Sequence, residues 1–246
     1  MQRKYEIEKK EKITTNDTIS MSLSPLWLPK NSNRFYYTGT NVWTVNNVLL
    51  PGECIELIKK SEGLGFTEAS LTMSDNNFVI RPDIRNNKRV IWDDKNFAVS
   101  LWERLKLFVP VYCNQLLGHE KIGHGYKVHD IGCNERFRFY RYEERERFNP
   151  HYDGHFSRQI DNHTERSFLT CIIYLNTVNN GGETKFFGTD NSTGNEFVKF
   201  AIKPIVGSCL FFAHQGNLHE GSMIPAGSKE VKYVIRTDIM YTNKKT

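Results

Sequence analysis

Beyond Asn134 apolar and polar residues alternate, and a period of two sustained through several segments excludes a helical bundle for that half of the chain. Arg136-Phe137-Arg138-Phe139-Tyr140-Arg141-Tyr142 changes face at every residue, as a half-buried strand must. Phe168 to Leu175 reads as a buried strand. Further strands are expected at Thr184 to Phe187, Gly207 to Ala213 and Val231 to Tyr241, separated by Gly- and Asn-rich turns such as Asn179-Asn180-Gly181-Gly182. Upstream, Asn41 to Leu50 predicts a short strand. Pro51 then opens a helix with Cys54, Leu57 and Ile58 on one face and Gly63 and Gly65 as stop signals. From Asp93, Phe97, Leu101, Leu105 and Phe108 recur every three or four residues until Pro110, the apolar stripe of a second helix. Helices first and short strands afterwards predict an α+β chain whose C-terminal half is an all-β sandwich or jelly roll.

A length of 246 residues suits one domain with decorations. Residues 1–35, rich in Lys, Glu, Asn, Ser and Thr and without a period, are expected to form a flexible leader in which Trp27 docks locally. Residues 36–133 read as helical support and a substrate-side segment, and 134–243 as the β core. The longest apolar runs, such as Cys171 to Leu175, fall far short of the roughly 20 residues that cross a bilayer. Residues 1–12 alternate charges and lack the apolar stretch of a secretory signal, so a soluble, cytoplasmic protein is expected. The net charge of +5 is concentrated near the ends, and the arginines between Arg136 and Arg147 are interleaved with Glu143, Glu144 and Glu146. That mixture argues against a nucleic-acid partner, which needs an unbroken basic stripe. Five cysteines with no C-x-x-C pair predict reduced thiols, with neither a zinc site nor a disulfide framework.

The candidate chemistry lies in Phe148-Asn149-Pro150-His151-Tyr152-Asp153-Gly154-His155. His151 and Asp153 are two residues apart, which on an extended strand puts both side chains on one face, about 7 Å along it. His219, in Gly216-Asn217-Leu218-His219-Glu220-Gly221, offers a third ligand. Two His and one carboxylate on one side of a metal leave the opposite positions open for substrate and oxygen, which suits non-haem Fe(II), although the same atoms tolerate zinc. His155 is an alternative ligand for a zinc hydrolase set with His151 and Asp153; its commoner reading is a supporting or solvent-facing imidazole. Tyr174 shares strand parity with Ile172 and Thr170 and so faces inward, either as core or toward a ligand.

These residues are joined by others in order: Phe168 to Asn176, Gly181-Gly182-Glu183-Thr184-Lys185-Phe186, Pro204 with Gly207 to Phe212, His219-Glu220-Gly221, and Lys232-Tyr233-Val234-Ile235-Arg236-Thr237-Asp238. In that order and spacing the chain resembles the prolyl 4-hydroxylase-type branch of the 2-oxoglutarate- and Fe(II)-dependent dioxygenases over about residues 134–241, with weaker similarity back to about residue 40. The resemblance implies a double-stranded β-helix with N-terminal helices packed on one sheet, and iron held at its mouth by His151, Asp153 and His219. It implies 2-oxoglutarate and O2 as cosubstrates, with ascorbate as a rescuing reductant. The implied reaction is hydroxylation of an unactivated C–H bond, first of all in a prolyl residue of a peptide or protein, and next in a free amino acid or other small molecule. A jelly-roll module that keeps the metal without turnover is the competing class.

By the same resemblance Tyr142 lies near iron and cosubstrate, and Tyr174 joins a basic residue of the last strand on the distal carboxylate of 2-oxoglutarate. Distance from His219 gives Lys229 as that residue; the strand pattern gives Lys232. An insertion fits more easily into the hairpin turn from Ile224 to Val231 than into a paired strand, which favours Lys232. Arg236 and Asp238 share its parity and are candidates for an ion pair. The stretch from Gly63 to Asp93, with Arg81, Arg85, Arg89 and Trp92, matches the part of the family that covers the substrate groove. The glycines that usually follow Tyr142 are replaced by Glu143-Glu144-Arg145-Glu146-Arg147.

Overall fold

In the computed structural model, residues 34–36, 41–72, 78–114, 125–214 and 216–243 are described; most of the expected leader, with Trp27, lies outside them. In chain order the elements are β1 (Arg34–Tyr36), β2 (Val42–Val45), α1 (Pro51–Leu64), β3 (Thr67–Glu68), β4 (Leu71–Thr72), β5 (Phe78–Val79), β6 (Lys88–Asp93) and α2 (Lys95–Leu105), which runs into a 3-10 turn (Lys106–Phe108). The β-rich part follows as β7 (Lys127–Cys133), β8 (Arg136–Tyr142), β9 (Phe148–His151), β10 (Ser157–Ile160), β11 (His163–Tyr174), β12 (Thr184–Thr189), β13 (Glu196–Ile202), β14 (Cys209–Ala213), β15 (His219–Gly221) and β16 (Lys232–Thr242).

Both helices form where their end signals stand. Pro51 sits at the start of α1, and the Glu53 carboxylate reaches back to accept from the Leu50 amide at 2.8 Å. Asp94 caps α2 by accepting from the Phe97 amide at 2.8 Å. Arg104 of α2 donates to both Glu53 oxygens at 2.7 Å and so ties the helices together. Cys54 and Leu57 of α1 and Phe97, Leu101 and Leu105 of α2 are fully buried against one face of the main sheet.

Among the described residues the main sheet runs β1-β2-β14-β11-β16-β8-β6-β3, with β10 beside β11 and β7 beside β16; the second sheet runs β13-β12-β15-β9. Strand parity divides the main sheet between two cores. Leu169, Cys171 and Ile173 of β11 face the helices, together with Phe137, Phe139 and Ile235, while Ile172 and Tyr174 face the second sheet with Tyr140, Tyr142 and Val234. The result is the jelly roll expected from the period of two, with the helices packed on one sheet. Among the described residues no helix is long and apolar enough to cross a membrane.

Several strands, among them β6, β7, β10 and β13, were not foreseen in the sequence, and three expected details differ. The strand expected from Asn41 to Leu50 stops at Val45, because the amides of Val48 and Leu49 turn to donate to the Gly207 carbonyl at 2.8 and 3.1 Å. β11 starts earlier, at His163, through its hairpin with β10. Trp92 faces away from the groove: its ring packs at 5.1 Å on Phe97 and 5.7 Å on Phe137, on the helix side of β6. Gly207 holds φ at 73°, and a Cβ there would land on the Leu49 carbonyl oxygen. Gly207→Ala is therefore expected to lower stability by roughly 2 to 4 kcal/mol, combining left-handed strain with a backbone clash. A lower urea midpoint at unchanged slope measures it.

Candidate metal centre and adjoining pocket

β9 and β15 are neighbours in the second sheet, and His151 and His219 are direct cross-strand partners. β9 ends at His151, so the shared strand face expected for His151 and Asp153 does not exist; the chain leaves the sheet before Asp153. The main sheet holds the carboxylate instead. Thr170 Oγ1 of β11 donates to Asp153 Oδ2 at 2.6 Å, and Arg236 Nη1 of β16 lies 3.0 Å from Oδ1. His151 Nε2 is then 3.7 Å from Asp153 Oδ1, and His219 Nε2 is 3.8 Å from Oδ2. Ligand atoms of all three residues lie within 4.8 Å of one another.

Each imidazole is oriented by its other nitrogen. His151 Nδ1 bonds the Asn149 carbonyl at 2.8 Å and His219 Nδ1 the Asn217 carbonyl at 3.0 Å. A carbonyl only accepts, so the proton sits on Nδ1 and the Nε2 lone pair is left for a cation. Phe148 stacks on the His151 ring at 3.5 Å and fixes its plane. Burial, followed by the neighbouring His219, takes the His151 pKa down to about 3, and burial lowers His219 as well. Both rings are neutral near pH 7. Burial opposes the charge on Asp153, but Arg236, His219 and His151 outweigh it and hold the carboxyl well below its usual range. Two neutral nitrogen donors and one anionic oxygen on one side of a cavity are the donor set of a non-haem Fe(II) centre, and the residues fit that ion.

Next to the triad, between the sheets, Tyr142, Thr184 and Lys232 line a pocket shared with the two histidines and Asp153. Lys232 is only 2 % exposed, and its Nζ lies 4.9 Å from the Tyr142 ring centre and 5.7 Å from that of Tyr174. Among the described residues it forms no ion pair within 4 Å. Burial pushes its ammonium down to about 7, against the attraction of Glu183. Lys229 is exposed in the hairpin turn. Register explains the convergence: Lys232 is the cross-strand partner of Tyr142, and Tyr174 that of Val234, two residues along β16. The Tyr174 hydroxyl bonds Thr184 Oγ1 at 2.8 Å. In the loop after Tyr142, Arg145 takes a left-handed φ of 62° where a glycine would be at ease.

His155 is exposed and stands apart from the triad, which leaves it as the solvent-facing histidine. Arg236 pairs with Asp238 at 3.2 Å as parity suggested, but its contact with Asp153 was not foreseen, nor was Thr170 as a partner of Asp153. A signal for both existed, because Thr170, Arg236 and Asp238 share the inward parity of Tyr174 and Lys232.

A jelly roll with two histidines and a carboxylate converging beside a buried cation defines the class of non-haem iron oxygenases. Residues 137–237 match the model of the 2OG-Fe(II) oxygenase superfamily, and the protein is a 2-oxoglutarate-dependent Fe(II) dioxygenase, with Fe(II), 2-oxoglutarate and O2 as its cofactor and cosubstrates. In fold it resembles a Pseudomonas putida prolyl-4-hydroxylase, with a TM-score of 0.54, 16% identity, and coverage of 82% of this chain and 93% of the other. It also resembles a Trichoplax adhaerens prolyl hydroxylase solved with a hypoxia inducible factor oxygen degradation domain peptide fragment, at a TM-score of 0.52, 18% identity, and coverage of 82% and 84%. No curated protein matches the chain by sequence.

Proposed function

We propose that this dioxygenase hydroxylates a prolyl residue of a peptide or protein, with His151, Asp153 and His219 as iron ligands and Tyr142, Tyr174 and Lys232 as the cosubstrate site. The observation that carries the proposal is Lys232, a buried cation without a described carboxylate partner, beside three converging metal-ligand side chains. A buried charge is tolerated when something opposite in sign meets it. Support for a prolyl substrate comes from the fold neighbours, both prolyl hydroxylases and one with a peptide bound.

When bound, Fe(II), 2-oxoglutarate and O2 supply the oxidising chemistry, in which 2-oxoglutarate loses CO2 to become succinate and one oxygen atom enters the substrate C–H bond. The chain's own residues bind and orient. His151 and His219 present Nε2 lone pairs, and Asp153 presents an anionic oxygen whose direction is set by Thr170 and Arg236. Lys232 and the Tyr174 hydroxyl hold the distal carboxylate, and Tyr142 closes the wall beside them. The apolar walls around His219, Phe186 and Phe212, keep water from the reacting atoms.

The test is succinate release from 2-oxoglutarate by the purified chain with Fe(II), together with the mass of a prolyl peptide added to the mixture. Succinate and a gain of one oxygen on proline are the expected results. Metal binding without succinate would instead make the chain a binding module.

A further inference from the structure

Outward from the metal centre a groove of about 500 Å³ opens, with His151 and Asp153 in its lining. Arg85, Arg89, Arg138 and Arg236 all reach it, whereas its carboxylates are Asp153 and Asp238. Both acids face Arg236, at 3.0 and 3.2 Å, and Asp238 is shared with Arg138 at 3.3 Å. Arg85 and Arg89 have only neutral partners: Arg85 Nε donates to Asn87 Oδ1 at 2.8 Å, and Arg89 Nη2 donates to Ser70 Oγ at 2.9 Å. Among the described residues, neither forms an ion pair within 4 Å of a carboxylate.

Arg85 is the most informative member. It is 5 % exposed, its guanidinium lies over the rings of Tyr140 and Phe148 at 4.5 and 4.4 Å, and among the described residues its Nη2 has no hydrogen-bond partner. Phe148 stacks in turn on His151, so this buried cation stands two ring contacts from a metal ligand. The cluster repels itself. Burial lowers the Arg89 pKa, and Arg85 and Arg138 add to the effect. The Tyr140 phenol is buried among them, yet Arg85, Arg236 and Arg138 outweigh that burial and draw its pKa down. Guanidinium forks match planar carboxylates, and an excess of them in one groove favours an anionic occupant.

We infer that the molecule hydroxylated by this enzyme carries a carboxylate close to the oxidised carbon, received by Arg85, Arg89 and Arg138. The inference rests on the proposed role of the metal centre and extends it to the charge of the substrate. Two sources share that chemistry: the side chain of an Asp or Glu next to the target residue in a peptide, and the α-carboxylate of a free amino acid.

The experiment measures binding to the full chain loaded with Zn(II) and 2-oxoglutarate, which prevents turnover. Fluorescently labelled, end-capped peptides carry one proline flanked by Asp, by Asn or by phosphoserine, and unlabelled L-proline and L-prolinamide serve as competitors. Binding of the Asp peptide about tenfold or more tightly than the Asn peptide supports the side-chain source, as charge-assisted hydrogen bonds imply. Competition by L-proline but not by L-prolinamide supports the α-carboxylate source. In either case the preference collapses in Arg89→Gln/Arg138→Gln. In Arg89→Glu/Arg138→Glu it reverts toward a Lys-flanked peptide or L-prolinamide, which also shows that the variant is folded. Equal binding of acidic and neutral probes, tighter binding of the phosphoserine peptide, or a preference untouched by the Gln pair overturns the inference. Succinate release by the wild-type chain without any peptide tests the underlying reading separately.

Discussion

Asp153→Asn is expected to abolish iron binding and succinate formation together. The change removes one negative charge and almost no volume, so any loss belongs to the ligand set rather than to packing. In the wild-type chain the carboxylate is kept ionised by Arg236, with the Thr170 hydrogen bond beside it, in spite of its burial. Asparagine offers a single neutral oxygen, and its amide nitrogen faces one of the ligand positions. Arg236 keeps Asp238 at 3.2 Å, so the fold is expected to persist, with an unchanged far-ultraviolet circular dichroism spectrum as the control. The scale comes from comparison with Thr170→Val, which removes only the hydrogen bond to Asp153 Oδ2. Loss of such an outer partner costs about 10- to 100-fold in metal affinity or activity, and loss of the ligand itself must exceed it. Elemental analysis and a succinate assay on both variants read the ratio. Full activity in Asp153→Asn would remove the metal assignment.

Lys232→Ala is expected to raise the KM for 2-oxoglutarate by about 10²- to 10⁴-fold, since leaving one member of a buried ion pair unpartnered costs roughly 3 to 5 kcal/mol. Lys229→Ala, in the exposed turn, leaves the KM where it was. The same lysine sets a pH dependence. Burial brings its pKa to about 7 in the unliganded chain, and a dicarboxylate bound against it would raise that value. Below pH 7 the free protein is already protonated and the KM is flat. Above pH 7 binding must take up a proton, so the KM climbs by about tenfold per pH unit until the pKa of the complex is reached. A flat profile between pH 7 and 9, or an unchanged KM in Lys232→Ala, would place the cosubstrate anchor elsewhere.

Much of the architecture was legible because its signals are local. Pro51, Gly65 and the Phe97, Leu101, Leu105 stripe need only their neighbours to specify a helix, and alternation over Arg136 to Tyr142 specifies β8 to the residue. Lys232 could be favoured over Lys229 on similar grounds, because a paired strand resists a change of register while a turn absorbs it. Trp92 shows where such reasoning stops. Parity says that it and Arg89 lie on opposite faces of β6, but only the docking of α2 decides that the Trp92 face is the one covered by helices.

By itself, then, the chain's order of residues determined both helices, the strands β2, β8, β11, β12, β14 and β16, and a candidate set of side chains for a metal and a dicarboxylate. Tertiary structure alone decided that Asp153 leaves its strand to be held by Thr170 and Arg236, that His151 and His219 meet across β9 and β15, and that Arg85 is buried over Tyr140 and Phe148. The reason is physical. Local patterning fixes which face a side chain occupies, whereas the partner on the facing element is chosen by long-range strand pairing and by burial of charge, and these act only once the two sheets have closed on each other.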